Sequence, residues 1–247
     1  MGPKLAMDTP SVLQHPERIH PALWRASQIA PPRRAAVPTG HAALDHALPG
    51  GGWPLGTLIE FLPERPGIGE LLLLQPALAG LDPGRPILLI DPPYPPSMQC
   101  WANWGLQSRR LAWLRAGAES ERLWAAEQII RHDVCTALLC WTDHSPGQAL
   151  LRLQRLARRC NLLLILLRPH SAARQASPAA LRLSLAPTPQ GLALGILKQR
   201  GPALRGTLAI RLYSDALDLP ASAPARDGRP ARAGRPPAAL HAAPGRP

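Results

Sequence analysis

The sequence predicts an α/β domain with a mainly parallel central sheet, flanked by helices and extended at one edge by antiparallel strands. Three observations support this fold class. Segments with strand and helix patterns alternate from residue 58 to residue 167. Residues 161–167 are apolar on both faces, as in a central parallel strand covered by helices on each side. Beyond residue 180 the apolar positions alternate along each segment, which is typical of antiparallel strands.

The individual elements follow in a regular order. Ser145 is predicted to cap one helix, with Pro146 in its first turn. Leu123, Ala126 and Ile130 form the apolar face of another. The predicted strands cover 58–62, 86–91, 110–115, 136–141 and 161–167, and then the edge strands 181–185, 191–197 and 207–212. The predicted helices cover 70–79, 96–104, 120–132 and a segment that starts after Ser145.

Proline and glycine cluster at the two ends of the chain and divide it into three parts. Residues 1–37 form a leader in which Leu23 and Trp24 suggest a short docking helix, or a helix that packs back onto its own domain. Residues 38–215 form the folded domain. Residues 216–247 are rich in Pro, Ala and Arg, and we expect them to be disordered.

The formal net charge of +12 favours contact with nucleic acid or another polyanion. A GC-rich genome that encodes Arg in place of Lys explains part of the composition, but not the excess of positive charge. Phosphate contacts would be independent of sequence, and nothing indicates base recognition. The tail is either a nucleic-acid-binding arm or a solubilising segment. The candidate DNA contacts are Arg109, Arg110, Arg115, Arg152, Arg155, Arg159, Arg226, Arg229, Arg232 and Arg235.

Cysteine usage and hydropathy place the chain in the cytoplasm. The four cysteines show no C-x-x-C pairing, so we expect core thiols in a reducing compartment and no metal site. No apolar run reaches the roughly 18 residues that a membrane span requires, and no signal pattern begins the sequence.

The segment from residue 63 to residue 71 has the frame of a phosphate-binding loop without its chemistry. A strand, a loop with Gly67 and Gly69, and a helix follow one another, but Glu70 stands where such loops have Lys and Leu71 where they have Ser or Thr. A carboxylate at this position repels phosphate and itself satisfies the helix N-terminus. We therefore expect no bound cofactor and no catalysis.

Several motifs resemble the RecA core and, within that superfamily, the ImuA family. A T-G-x-x-x-L-D segment at 39–45 and a G-G-x-P-x-G turn at 51–56 resemble the segment that precedes the RecA phosphate loop. The ImuA-like stretches are residues 20–25, 49–54, 66–71 and 123–128. The resemblance implies a RecA-like fold up to about residue 212.

The same resemblance implies a role in error-prone translesion DNA synthesis during the SOS response. The implied partners are an ImuB-type Y-family-like protein and an error-prone DnaE-type polymerase, with RecA as a further candidate. Lys198 and Arg200 match the RecA segment whose basic residues reach the neighbouring protomer's nucleotide, so they are candidate partner-binding residues. Solvation of both at an edge strand is the alternative interpretation.

Two other functions compete with the adaptor role. One is a SulA-like inhibitor of cell division that binds the tubulin-like division protein. As we read them, SulA-type chains lack both the T-G-x-x-x-L-D segment and a basic tail. The other is a residual ATPase, which Glu70 and Leu71 argue against.

Overall fold

Parallel strands occupy the middle of the molecule, which a computed structural model describes over residues 35–200 and 206–213. The strands in these ranges are β1 (Ala36–Val37), β2 (Trp53–Pro54), β3 (Thr57–Pro63), β4 (Ile87–Ile90), β5 (Leu111–Leu114), β6 (Ala137–Trp141), β7 (Leu163–Leu167), β8 (Leu181–Thr188), β9 (Gly191–Lys198) and β10 (Thr207–Arg211). The helices are α1 (Ala42–Ala47), α2 (Glu70–Gly80), α3 (Met98–Asn103), α4 (Glu119–Arg131) and α5 (Gly147–Ala157).

Eight of these strands form one sheet in the order β10-β9-β8-β3-β7-β6-β4-β5, while β1 and β2 pair separately. All neighbours from β8 through β5 run parallel. The pairs β8–β9 and β9–β10 are antiparallel. The predicted fold class is therefore confirmed at the level of a mixed α/β sheet with an antiparallel edge.

The strand β8 is antiparallel to β9, as the sequence predicts, but its other side does not follow that prediction. Leu181 instead pairs with Ile59 in a parallel ladder, and the chain reverses only after Thr188. Alternating apolar residues indicate one covered face but do not specify strand direction. The short β1, α1 and β2 were also absent from the predicted elements.

Helices cover the sheet on both faces and explain why its central strands are apolar throughout. All residues of β3, β6 and β7 are buried. On one face, Leu73 and Leu74 of α2 and Trp101 of α3 join the core; on the other, Leu123 of α4 and Leu153 of α5 do so. Because β3, β4, β6 and β7 run parallel, their carboxyl ends lie at the same edge of the sheet, and the loops that follow them meet there.

The start of α5 corrects the predicted cap. The helix begins at Gly147, Pro146 occupies the cap position, and no side chain caps it. The Ser145 hydroxyl lies 2.7 Å from Thr142 Oγ1 instead. Ser145 therefore hydrogen-bonds to the residue that directly follows β6 instead of capping α5.

The expectation of core thiols holds for two cysteines. Cys135 and Cys140 are buried, Cys160 is half-buried, and Cys100 is exposed, contrary to the prediction. Burial raises the pKa of the Cys135 and Cys140 thiols to about 12 in each case. Both thiols therefore stay protonated and unreactive at neutral pH. No helix in the described part of the chain has the length and apolar character to cross a membrane.

Candidate functional site

The loop between β3 and α2 reverses direction on two glycines. Gly67 has φ +78° and Gly69 has φ +114°, which is backbone geometry that other residues rarely adopt. The Tyr94 ring covers Gly67 so closely that a Cβ there would meet it at 3.0 Å. The loop is therefore a fixed turn that opens directly into the first turn of α2.

The carboxylate of Glu70 fills this turn. Its Oε1 accepts a hydrogen bond from the amide of Gly67 at 2.8 Å, and its Oε2 accepts one from the amide of Gly69 at 3.1 Å. Glu70 is only 3% exposed. The first N–H groups of a helix have no partner within it and attract anions. Here the chain itself provides the anion.

The other positions of a phosphate loop offer no replacement chemistry. In the pattern G-x-x-x-x-G-K-[ST], alignment on Gly69 places Glu64 at the first glycine, Glu70 at the lysine and Leu71 at the hydroxyl residue. Leu71 packs against the core cluster between sheet and helices. The lysine and hydroxyl positions of the loop, Glu70 and Leu71, therefore present neither a cation for phosphate nor a hydroxyl ligand for magnesium.

The T-G-x-x-x-L-D segment packs against the same helix. The Asp45 carboxylate accepts a hydrogen bond from the Thr39 amide at 2.7 Å and closes the turn. Gly40 has φ +82°, and a Cβ added to it would lie 2.3 Å from Pro76 Cβ of α2. The motif thus fixes α2 at its middle through a contact that only glycine permits.

Asp91, at the end of β4, is held by its neighbours. Its φ of +47° turns the chain sharply. One carboxylate oxygen accepts from the Ala116 amide at 2.9 Å, and the other from Arg122 Nε at 2.5 Å. Burial lowers the pKa of the Arg122 guanidinium, but the hydrogen bond and charge of Asp91, with Glu119 and Asp143, raise it above its usual value. Asp91 is therefore part of an ion pair rather than a base facing substrate.

The end of β6 carries a second polar cluster. The Thr142 hydroxyl hydrogen-bonds to both Glu119 and Ser145. The Asp143 carboxylate lies 3.7 Å from Arg122 and is 85% exposed. Asp143 comes just after β6, and its exposed carboxylate is only loosely paired with Arg122.

A cleft of about 580 Å³ lies where the loops after β3 to β7 meet. Its lining includes Arg65, Arg115, Arg122, Trp141 and Arg168. Arg65 and Arg115 are exposed, and neither makes an ion pair within residues 35–200 and 206–213. The sequence does not predict this cleft, because its residues come from the loops after five different strands, with Arg122 of α4 and Trp141 of β6.

Beneath the cleft lies a buried Arg–Glu–Arg network, also missed from sequence. Glu60 Oε1 accepts from Arg168 Nη1 at 3.0 Å, and Oε2 accepts from Arg182 Nε at 2.6 Å. Ser177 Oγ adds a third hydrogen bond at 2.7 Å. The exposed fractions are 0% for Glu60, 1% for Arg168 and 8% for Arg182. The only sequence signals were a Glu and an Arg inside otherwise apolar strands.

The predicted partner-binding and DNA-binding residues do not form one surface. Arg110 is buried and donates to the Asp82 and Arg85 carbonyls, so its prediction as a DNA contact is wrong, whereas Arg109 and Arg115 are exposed. Lys198 is exposed at the end of β9 and donates to the Ser177 carbonyl at 2.7 Å, while Arg200 is exposed just beyond. Arg155 and Arg159 are exposed on α5 and just after it, and Arg152 pairs with Glu127 at 2.8 Å. Leu23, Trp24, Arg226, Arg229, Arg232 and Arg235 lie outside the described residues.

Comparisons with known proteins give a similarity to solved structures but to no family. No family model matches the chain, and no curated protein matches it. Among solved structures, SulA from Pseudomonas aeruginosa is similar, with 23% identity and a TM-score of 0.38. The alignment covers 45% of this chain and 97% of that one. This similarity assigns neither a family nor an activity to the chain.

Proposed function

We propose that this chain is a non-catalytic accessory protein of SOS-induced error-prone translesion DNA synthesis. The observation that carries the proposal is the Glu70 carboxylate on the amides of Gly67 and Gly69. A loop whose anion site is filled from within lacks the Lys and Ser/Thr that bind a nucleoside triphosphate and its magnesium ion in phosphate loops. This supports a role through protein contacts rather than through catalysis.

The RecA-like character of the fold is part of this proposal. It is supported by the parallel order β3-β7-β6-β4, by the loop–helix unit after β3, and by the T-G-x-x-x-L-D segment closed by Thr39 and Asp45. The ImuA-like motifs noted in the sequence then favour an adaptor for an ImuB-type protein and a DnaE-type polymerase in the cytoplasm. RecA and non-specifically bound DNA are further candidate partners.

Partner identification tests the role directly. The tagged chain is captured from cells of its own species after treatment with a DNA-damaging agent, and the proteins bound to it are identified by mass spectrometry. We expect a Y-family-like subunit, an error-prone replicative-type polymerase or RecA. Recovery of the tubulin-like division protein without any polymerase would instead assign the chain to division arrest.

Nucleotide binding tests the non-catalytic part separately. We expect no heat of binding when Mg·ATP is titrated into the purified chain. The double variant Glu70→Lys with Leu71→Thr restores the phosphate-loop chemistry and is expected to bind Mg·ATP measurably. ATP turnover by the natural chain that is lost on Gly69→Ala would show that the site is active and the proposal wrong.

A further inference from the structure

We infer that the cleft at the carboxyl ends of the parallel strands binds a carboxylate of an acidic peptide segment from a partner protein. The cleft's volume of about 580 Å³ is within the range of sites that hold small ligands or inserted side chains. The inference does not depend on the accessory role proposed above, since it concerns the chemistry of the cleft alone.

Two buried donors on the cleft lining lack partners within the described chain. Trp141 is 8% exposed and its indole Nε1 makes no hydrogen bond. The Arg168 side chain is 1% exposed, and its Nε is also unpaired although both of its terminal nitrogens are bonded. A buried N–H without an acceptor costs free energy. Both nitrogens are covered by the cleft wall, so a ligand oxygen recovers this cost once a wall side chain shifts to expose them.

Exposed cations stand at the mouth of the same cleft. Arg65 follows β3 and Arg115 follows β5, so they come from strands that are not neighbours in the sheet. Neither forms an ion pair among the described residues, whereas Arg122 between them is paired with Asp91 and Glu119. Glu64, which also lines the cleft and forms no ion pair among the described residues, offsets one of these charges. The remaining unmatched groups are donors and cations, and they favour an anionic acceptor.

The composition of the walls favours a carboxylate over a phosphate. Phosphate sites usually offer several backbone N–H groups, but prolines, which have none, form much of this cleft: Pro63, Pro66, Pro92, Pro93 and Pro169. The loop amides that would serve a phosphate already bind Glu70. The Asp143 carboxylate, 85% exposed, also repels a dianion more than a single carboxylate.

A peptide suits the cleft better than a small free acid. The proline rings and the Trp141 ring provide rigid apolar surface next to the donors. An acidic residue with an apolar neighbour on the same extended chain can use both surfaces at once. The ligand is therefore a short segment in which acidic and apolar residues alternate.

The test uses fluorescence anisotropy of the full chain with a short fluorescein-labelled peptide of alternating Glu and Leu. A peptide of alternating Gln and Leu is the matched probe without charge. We expect Arg65→Glu with Arg115→Glu to weaken binding of the Glu peptide at least about tenfold. The control Arg131→Glu with Arg158→Glu changes the net charge equally at exposed positions that do not line the cleft, and is expected to have little effect.

A second variant addresses the buried donor. Trp141→Phe removes the indole N–H but keeps an aromatic ring, and we expect a several-fold loss of affinity in a chain whose circular dichroism is unchanged. Equal weakening by the control charge reversal, equal binding of the Gln peptide, or no binding at low salt would each overturn the inference. Competition distinguishes the two kinds of anion. If inorganic phosphate or Mg·ATP displaces the labelled Glu peptide at a lower concentration than the unlabelled Glu peptide does, the cleft is a site for phosphate ligands.

Discussion

Oε1 of Glu70 lies 2.8 Å from the amide nitrogen of Gly67, three residues earlier in the chain. This contact, with its counterpart at Gly69, places a negative charge at the N-terminus of α2 without any external ligand. The same side chain therefore stabilises the turn and occupies the position at which a phosphate would bind.

Removal of this carboxylate is expected to destabilise the fold. Glu70→Ala leaves two loop amides without acceptors, and each such loss costs about 1–3 kcal/mol in the free energy of unfolding. Urea denaturation measures the change, and hydrogen exchange at the amides of Gly67 and Gly69 locates it. The control Glu64→Ala alters an exposed neighbour and is expected to stay within about 0.5 kcal/mol of the natural chain. An unchanged exchange rate at both glycines would contradict the role assigned to Glu70.

The buried charge network predicts a larger effect. Glu60→Ala leaves Arg168 and Arg182 buried without their carboxylate, at a cost of about 3–5 kcal/mol. Thermal and urea denaturation both report it. The surface pair between Arg85 and Asp133 provides the contrast, because Arg85→Ala is expected to cost about 0–1 kcal/mol. Similar losses in the free energy of unfolding for Glu60→Ala and Arg85→Ala would show that burial of the network adds no stability.

Thiol labelling tests the assigned environments of the cysteines. In the native chain at neutral pH, Cys100 is expected to react with iodoacetamide first, while Cys135 and Cys140 stay protected until unfolding. Because burial raises the pKa of both thiols to about 12, unfolding lets them ionise, and stability is lost as the pH rises from the usual thiol pKa towards 12. Mass spectrometry of labelled peptides identifies the sites. Early labelling of Cys140 would place it outside the core.

The exposed arginines at the end of α5 predict salt-dependent DNA binding. Arg155→Ala with Arg159→Ala removes two phosphate contacts and lowers the slope of log affinity against log salt by roughly 1.4 for a single-stranded oligonucleotide. Anisotropy titrations over a range of salt concentrations measure this slope. Arg131→Ala with Arg174→Ala removes the same charge from other exposed positions. Equal slopes in the two double variants would exclude a DNA-binding role for this end of the helix.

Lys198 and Arg200 predict a defined effect on partner binding. If they form a docking edge, Lys198→Ala with Arg200→Ala weakens binding of purified RecA while stability changes little, because both side chains are exposed. The bond from Lys198 to the Ser177 carbonyl accounts for a loss of about 1 kcal/mol at most. Surface plasmon resonance with RecA measures the affinity. Unchanged binding would leave the two residues as a solvated strand end.

Sequence patterns predicted most of the elements and part of the site, because these depend on local residues. The helix that starts at Glu70 and the buried strand at Leu163–Leu167 follow from apolar runs bounded by loop residues. The parallel direction of β8 and the role of Ser145 depend on residues that other elements bring close. The Arg–Glu–Arg network joins Glu60 to residues more than 100 positions later, a separation that no local pattern spans.

The Glu70 carboxylate also makes the loop independent of dissolved ligands. A phosphate loop that takes its anion from solution is occupied only while that solute is present. An anion tethered next to the loop is present at constant effective concentration. The turn of this protein is therefore closed by its own side chain, whatever the concentration of free nucleotide or phosphate.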